Sequence, residues 1–372
     1  MLGARPALAQ PSCATPGKDG PGGTLAGVVN TYYPALPGIV AAGSTSIPLG
    51  AAVGASQPIS SGDLVLVIQM QDAAIDSTNT GSYGDGIAGD PARGSTSLNS
   101  AGFYEYAAAT GAVPLSGGSL ALQGAGAGGG LLNTYTSADA TATQGQRRFQ
   151  VVRVPQYTTA TLGSSLTALN WSGTAGGVLA IDVSGALDLG SATVSLLGLG
   201  FRGGGGLQLT GGAGGSNTDY RTLSTSPFNG AKGEGIAGTP AWILDPTTNT
   251  VVNTGGEGYP NGSMARGAPG NAGGGGTDGN PSANDQNSGG GGGGNGGIGG
   301  QGGNTWNSNL TVGGFGGDQF PASAAQVILG GGGGAGTRNN STGVAASGGA
   351  GGGIALFRAQ SVSGAGPIIV DG

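Results

Sequence analysis

The chain has 372 residues, of which 88 are glycine, and its 12 basic and 18 acidic side chains give a net charge of −6 at pH 7. Such sparse, acidic charge argues against nucleic acid as a partner, because nucleic-acid binding needs a clustered basic face. The absence of histidine excludes His-based catalytic triads and histidine metal sites. No stretch approaches the roughly 18 apolar residues of a membrane span, so membrane insertion is not expected.

The first ten residues resemble the end of a secretory signal peptide. The stretch is too short for a complete signal, but Ala7 and Ala9, just before Gln10, match a small-residue cleavage site. We therefore interpret residues 1–10 as a signal-peptide remnant and expect an extracellular or cell-surface location. Cys13 is the only cysteine, so no disulfide can form within the given sequence.

Residues 11–200 carry the pattern of a β-rich domain. Short stretches rich in β-branched and apolar side chains alternate with glycine-rich turns, and helical periodicity is almost absent. The stretches are 59–72, 103–106, 119–123, 148–154, 178–183 and 192–197. This pattern predicts an all-β fold with either a β-sandwich-like framework or a short β-solenoid. The basic group formed by Arg147, Arg148 and Arg153 is interpreted as an exposed strand edge protected by charge.

Residues 201–351 are dominated by a three-residue pattern, in which one side chain is followed by two glycines. The pattern occurs at 210–216, 295–304, 312–318, 329–336 and 347–353. Period three belongs to the extended threefold helix, which has no internal hydrogen bonds. In such a helix, X-Gly-Gly leaves two bare edges where other backbones can approach and pair. We therefore predict a packed layer of polyglycine helices, with flexible linkers or tight turns of another all-β fold as alternatives.

Residues 352–372 repeat an earlier pattern of the chain. Residues 176–183 begin with two glycines, continue as an apolar strand and are followed by a second strand from Ala192. Residues 352–359 have the same beginning and are followed by a strand that ends at Val370. Such repeats are typical of stacked β-helix coils, although two copies fall short of the three or more that a solenoid needs. We expect residues 352–372 to be closing strands that return to the β core.

Several stretches resemble the amino-terminal region of large secreted bacterial surface proteins, which are glycine-rich and often followed by repeated Ig-like domains. They are residues 62–72, 148–157, 200–206, 232–240 and 257–263. This resemblance implies a bacterial cell-surface location and additional domains after Gly372, but no defined activity. Residues 201–353 are also similar to the polyglycine-helix domains of bacteriophage tail-fibre adhesins and of the anaplastic lymphoma kinase ectodomain. Those domains use polyglycine helices as a rigid scaffold for partner-binding loops or an attached β-domain.

Four aromatic residues in the loops that interrupt the glycine runs are candidate ligand contacts. A flat ring in such a loop can stack on a sugar or anchor a partner protein. The candidates are Tyr220, Trp242, Tyr259 and Trp306. Alternatively, these rings cap the ends of the glycine layer and shield its backbone from water. The expected partner is a cell-surface glycan or protein.

No cofactor is expected, and structural calcium is the one metal with any support in the sequence. Residues 313–320 fit a calcium-binding β-roll nonapeptide and residues 273–278 fit half of one, but real β-rolls carry such repeats in tandem. A second acidic group is interpreted as solvated loop carboxylates, with a calcium site as the alternative. It consists of Asp72, Asp76, Asp85 and Asp90.

These observations favour a non-catalytic extracellular surface module for adhesion or for rigid display of binding loops. A structural surface-layer or filament subunit is the first alternative. The second is a polysaccharide lyase or hydrolase on a β-helix, which would need paired carboxylates along one face. Asp182 and Asp188 would be that pair, but they are separated by Gly185, and surface positions beside the core explain them equally.

Overall fold

The computed structural model describes residues 14–89, 91–209, 218–278, 287–338 and 344–372. Within these residues the fold is all-β, as predicted, and its helical parts are the short 3₁₀ helices Ala127–Gly129 and Val344–Ala346. A helix long and apolar enough to cross a membrane is absent from this part of the chain. The signal-peptide remnant, Cys13, Asp90 and the glycine pattern at 210–216 lie outside the described residues.

Twenty strands are assigned in the described residues, and most are short. In chain order they are β1 (Thr24–Val28), β2 (Thr31–Pro34), β3 (Gly38–Val40), β4 (Ser46–Leu49), β5 (Val53–Gly54), β6 (Leu64–Gln71), β7 (Arg93–Gly94), β8 (Tyr104–Ala109), β9 (Gly118–Gln123), β10 (Tyr135–Ser137), β11 (Arg148–Val154), β12 (Gln156–Tyr157), β13 (Ala160–Thr167), β14 (Val178–Asp188), β15 (Val194–Ser195), β16 (Trp242–Asp245), β17 (Thr250–Asn253), β18 (Ala268–Pro269), β19 (Ile354–Ser363) and β20 (Ile368–Ile369).

A seven-stranded antiparallel sheet, in the order β4-β9-β8-β6-β11-β2-β5, lies between two apolar clusters. Every residue of β6 is buried. Its side chains alternate between the clusters: Leu64, Leu66 and Ile68 belong to the larger cluster, whereas Val65 and Val67 belong to the smaller. Both faces of the sheet are therefore covered, which explains why β6 begins with the continuous apolar residues 64–68 rather than with an alternating pattern.

The charged strand β11 is an interior strand, so its interpretation as an exposed edge is wrong. It pairs with β6 on one side and β2 on the other. Arg153 is nearly buried, and its guanidinium lies 2.6 Å from Asp19 and 3.0 Å from Asp63. These carboxylates offset the cost of burying the arginine charge.

A second, largely parallel sheet has the order β1-β13-β14-β12, with β19 also paired to β14. The two copies of the internal repeat lie side by side in this sheet. Val178 of β14 is opposite Ile354 of β19, and the register continues to Val183 opposite Ala359. The second strands of the repeat, β15 and β20, are likewise parallel partners. The larger apolar cluster extends from this sheet to the antiparallel one.

The glycine-rich part is organised around residues 330–337, which we call the central segment. These residues belong to no strand or helix, but each of their N–H groups donates to a carbonyl of another segment at 2.7–2.9 Å. The acceptor segment changes with every residue and recurs with period three. Residues 346–352 accept from the N–H groups of Gly330, Gly333 and Gly336. Residues 288–294 accept from those of Gly331, Gly334 and Thr337. Residues 231–234 accept from those of Gly332 and Ala335.

Two further segments donate to carbonyls of the central segment, again with a step of three. The N–H groups of Phe201 and Gly204 donate to Gly330 and Gly333, and those of Gly273 and Gly276 donate to Gly332 and Ala335. The central segment is thus surrounded by what we call the ring segments, which are residues 201–204, 231–234, 271–276, 288–294 and 346–352. Its contacts are made by backbone rather than by apolar side chains.

Backbone contact leaves no room for a side chain on most of these edges. A Cβ added at Gly332 would lie within 3.0 Å of the carbonyl oxygen of Arg202, and one at Gly334 would lie within 3.0 Å of that of Gly274. Other glycines face open space. At Gly300, Gly303 and Gly349 a Cβ would meet nothing within 4 Å. Glycine is therefore sterically required at the first group of positions and not at the second.

Candidate functional site

A surface cleft of about 420 Å³ opens between the β7 region and the glycine-rich part. A second concavity of about 280 Å³ adjoins it, and the two share Pro91 and Arg93. Arg93 therefore lies at the centre of a continuous depression. The remaining residues that line the larger cleft are Arg266, Gly299, Gln301, Thr311, Phe315 and Gly316.

Arg93 is held in place by its backbone. Strand β7 pairs in parallel with β18, with Arg93 opposite Ala268. The N–H of Ala268 donates to the carbonyl of Ala92 (3.0 Å), and that of Gly270 donates to Gly94 (2.8 Å). The guanidinium makes no hydrogen bond or ion pair with any described residue. Its donors are therefore directed to solvent or to a ligand.

Two carboxylates border the smaller concavity. A Cβ placed on Gly94 would lie 3.2 Å from Asp318 Oδ2 and 3.4 Å from Asp85 Cβ, so both side chains lie over this glycine. Asp85 Oδ1 accepts the N–H of Ile87 at 2.8 Å. Asp318 Oδ1 accepts the N–H of Gln319 at 2.9 Å. Arg93, next to Gly94, is thus bordered on this side by oxygen acceptors.

The back wall of the cleft is an aromatic and guanidinium stack. The Cζ of Arg266 lies 4.4 Å from the ring centroid of Phe315, within cation–π distance. The ring of Tyr220 is stacked on Phe315, with centroids 6.2 Å apart and planes at 7°. Arg266 also donates to the carbonyl of Thr311 at 2.9 Å. Tyr220, one of the four predicted contacts, therefore supports this wall.

The other predicted aromatic contacts have different environments. Tyr259 is 1 % exposed, and its hydroxyl donates to the carbonyl of Gly233 at 2.6 Å. Its ring is therefore covered by protein. Trp242 is half-buried on β16, with an indole N–H that no described residue accepts. Trp306 is 76 % exposed. No ring contact among the described residues joins two of the four.

A buried lysine that the sequence reasoning missed anchors the back wall. Lys232 is completely buried, and its ammonium donates to the carbonyls of Tyr220 (2.6 Å), Ala265 (3.0 Å) and Gly267 (2.5 Å). It also lies 4.4 Å from the ring centroid of Tyr83. Burial lowers the pKa of Lys232 well below its usual value. The only signal in the sequence is a lysine within a glycine-rich run of a lysine-poor chain.

A buried ion pair lies two residues further on. Both carboxylate oxygens of Glu234 accept from the guanidinium of Arg202, at 2.7 and 2.9 Å. One also accepts the hydroxyl of Thr239 at 2.6 Å. Burial alone would raise the pKa of Glu234, but the charge of Arg202 and these hydrogen bonds outweigh it and lower the pKa. The pair ties two ring segments together.

Asp182 and Asp188, the pair considered for catalysis, each have a structural partner. Asp182 lies 3.4 Å from the Nε of Arg358 on the neighbouring strand. Asp188 Oδ1 accepts the N–H of Gly190 at 2.9 Å and closes a turn.

The acidic group considered for calcium also serves the backbone. Asp76 accepts from Thr78, and Asp72 accepts the N–H of Ser100. The described part of the chain contains no cluster of three or more metal-ligating His, Cys, Asp or Glu side chains. Asp90 is outside that part.

Comparisons with protein-family models, with curated proteins and with solved structures find no match. The candidate site is therefore assessed on its own geometry. It offers an arginine without partners among the described residues, a second arginine held against aromatic rings, the exposed amide of Gln301 and two carboxylates. Such a mixture of fixed donors and acceptors is suited to a polar, hydroxyl-rich ligand with a carboxylate.

Proposed function

We propose that the chain is a non-catalytic, extracellular surface module in which a layer of polyglycine helices holds a glycan-binding cleft rigid. The hydrogen bonds of the central segment carry this proposal. Successive N–H groups point to three different neighbours and return to the first after three residues. This is the geometry of an extended threefold helix, whereas the N–H groups of a β-strand alternate between two sides.

The backbone conformation of the glycines supports the same interpretation. None of the described glycines between residues 271 and 353 has a positive φ. The glycines of this part therefore do not use the left-handed conformation that glycine readily adopts in turns. Hydrogen bonds on several edges of each segment offset the entropy of ordering the glycines, which amounts to about 1–2 kcal/mol per residue. A layer built in this way is a rigid support.

The cleft around Arg93 is the best candidate for the ligand contact. Its volume of about 420 Å³ falls within the range of about 300–1,000 Å³ found for small-molecule sites. Arg93 would bind a carboxylate of an acidic saccharide, while Gln301 and Asp318 would bind its hydroxyls. Both guanidinium groups line the larger cleft, whereas Asp85 and Asp318 line the smaller concavity, so the larger cleft favours the anionic group of a sugar.

Glycan binding by matched variants tests this function. The purified chain is applied to an array of neutral, uronic-acid and sialic-acid saccharides, and hits are measured by calorimetry. Arg93→Gln should weaken binding by about tenfold or more, because a hydrogen bond to a charged group contributes about 1.5–3 kcal/mol. Arg358→Gln removes an arginine outside the cleft and should leave the glycan affinity unchanged. Absence of any glycan hit, or equal affinity of both variants, would contradict the proposal.

A structural surface-layer or filament subunit is the second candidate. The observation that favours it is the open glycine edge at Gly296, Gly300 and Gly303, where a Cβ would meet nothing within 4 Å. Bare edges of this kind offer backbone groups to another molecule. Sedimentation velocity over a range of concentrations separates the candidates, because a subunit polymerises and an adhesion module stays monomeric.

A further inference from the structure

A groove of about 850 Å³ runs along the glycine-rich part, remote in sequence from Arg93. Its walls are residues 292–297 and residues 349–352, and its floor contains Gly330, Gly331 and Gly333 of the central segment. Ala322 and residues 370–372 also line it. The groove is thus bordered by two ring segments and the central segment, and almost all of its lining is glycine backbone.

The groove occupies a gap in the order of the ring segments. Around the central segment the ring segments follow the order 346–352, 201–204, 231–234, 271–276 and 288–294, and each is hydrogen-bonded to the next. Within the described residues no hydrogen bond joins the last of them, 288–294, to the first, 346–352. The groove lies between those two. The bonds between consecutive ring segments are Gly348 to Gly204, Glu234 to Arg202, Gly233 to Gly273 and Gly291 to Gly274, each written from N–H donor to carbonyl acceptor. Segments of threefold symmetry pack six around one, so the groove is the position of the missing sixth.

The floor of the groove presents unused acceptors. Carbonyls of Gly330 and Gly333 accept from residues 201–204, and those of Gly332 and Ala335 accept from residues 271–276. The carbonyls of Gly331 and Gly334 accept no hydrogen bond from the described residues. A threefold helix directs its carbonyls to three sides. The carbonyls of Gly331 and Gly334 therefore point to the third side, where the groove lies.

One wall presents unused donors with the same spacing. In the ring segment 288–294, the N–H groups of Gly291 and Gly294 donate to residues 271–274, and those of Gly289 and Gly292 donate to residues 300–303. The N–H groups of Gly290 and Gly293 donate to no described residue. By the same threefold argument they point to the groove. Gly293 and Gly331 line the groove, and Gly290 and Gly334 offer the same donor and acceptor one turn further along their segments.

We propose that this groove binds an extended X-Gly-Gly segment of a partner polypeptide, which completes the ring around the central segment. The partner must lack side chains on the edges that face the walls, because the glycines of the existing ring segments approach the central segment through backbone. Its third edge faces solvent and can carry any side chain. Two turns, or two X-Gly-Gly triplets, match the paired donors and acceptors. This inference goes beyond the proposed glycan binding and concerns a separate surface.

Amide exchange on the full isotope-labelled chain tests the proposal. The probe is a synthetic, end-blocked peptide of four Gln-Gly-Gly triplets, and the control peptide has four Gln-Gly-Ala triplets. The Gln-Gly-Gly peptide should slow exchange at Gly290 and Gly293 by about tenfold or more at saturation, because it supplies acceptors for their N–H groups. The control peptide should have no effect, since its methyl groups meet the walls.

Paired variants separate groove binding from any other contact. Gly349 lines the groove, and Gly303 lies on another exposed edge; neither has an atom within 4 Å of its Cβ position. Gly349→Leu should weaken peptide affinity by about tenfold or more, whereas Gly303→Leu should not change it. Neither substitution should lower the melting temperature. Two results would overturn the proposal: no saturable effect of the Gln-Gly-Gly peptide, or Gly290 and Gly293 amides that are already protected in the monomeric chain.

Discussion

Alanine substitutions at Gly348 and Gly349 test directly whether the glycine-rich part is close-packed. The two residues are adjacent, and neither has a positive φ, so the backbone at both positions is compatible with alanine. Their surroundings differ. A Cβ at Gly348 would lie within 3.0 Å of backbone atoms of Gly333, whereas one at Gly349 would meet nothing within 4 Å. The pair thus isolates packing from conformational preference.

The expected effects have opposite signs. Gly349→Ala should stabilise the protein by about 0.4–1 kcal/mol, because alanine reduces the entropy of the unfolded chain. Gly348→Ala must push the ring segment away from the central segment and strain the hydrogen bond from Gly333 N–H to Gly349 O (2.9 Å). Forced overpacking of this kind costs about 1–3 kcal/mol. The free energies of unfolding of the two variants should therefore differ by about 1.4–4 kcal/mol.

Urea unfolding of both variants, with equal slopes, measures this difference. Native-state hydrogen exchange at residues 330–336 provides a second readout, in which Gly348→Ala should lower the protection of the central segment. Gly299 and Gly300 form an independent pair with the same contrast. Gly299→Ala should also cost more than Ile298→Ala, since the Ile298 side chain is 49 % exposed. Equal stability within each pair would refute the close packing on which the proposed scaffold depends.

Two buried charges give further predictions. Glu234→Gln should cost about 3–5 kcal/mol, because it leaves Arg202 buried without its counter-charge, whereas Asp139→Asn at an exposed pair should change stability little. The pKa of Glu234 is lowered by folding, so its contribution is present above about pH 4.5 and is lost as the pH falls through the folded pKa. Acid titration of stability should show this loss in the parent and not in Glu234→Gln. Lys232→Met should destabilise the protein by about 1–3 kcal/mol, because buried carbonyls lose their donor. Folding lowers the pKa of Lys232, so parent stability should rise with pH above the folded pKa until the ordinary lysine pKa of 10.5 is reached, and the Met variant should lack this rise.

Local patterns in the sequence predicted much of the β part. The stretch 148–154 coincides with β11, and the stretch 59–72 contains β6. The internal repeat became adjacent strands, since Val178 and Ile354 occupy equivalent places in the two copies and are opposite each other. These features depend on neighbouring residues or on similarity between segments, both of which are visible in one sequence.

Features that depend on distant pairing were not predictable. Arg153 lies in a strand of alternating character, and its partners Asp19 and Asp63 are 134 and 90 residues away in sequence. Nothing in the local pattern indicates that these three charges meet, so a buried cluster was interpreted as an exposed edge. The cleft was missed for the same reason, because Arg93 and Arg266 come together only through the pairing of β7 with β18.

Polar side chains attach the glycine-rich part to the β framework, alongside apolar residues such as Phe201, Ile236 and Leu329 that join the larger apolar cluster. Glycine segments have no side chains with which to join an apolar core, so their backbone groups need partners. The buried amide of Gln71, at the end of β6, donates to the carbonyl of Gly235 at 3.0 Å. The buried Asn271 accepts the N–H of Ile236 at 3.0 Å and donates to the carbonyl of Leu329 at 2.9 Å.

Such cross-links explain why long or polar residues interrupt glycine runs that otherwise need only bare edges. Each cross-link fixes the position of a segment along the axis of its neighbours. Backbone hydrogen bonds that repeat every three residues then keep the rest of the segment in the same register. A run without a cross-link would be free to slide by one triplet, because every triplet presents the same donors and acceptors. Lys232, Glu234 and Asn271 are therefore expected to set the register of the layer, and with it the position of Arg266 at the cleft.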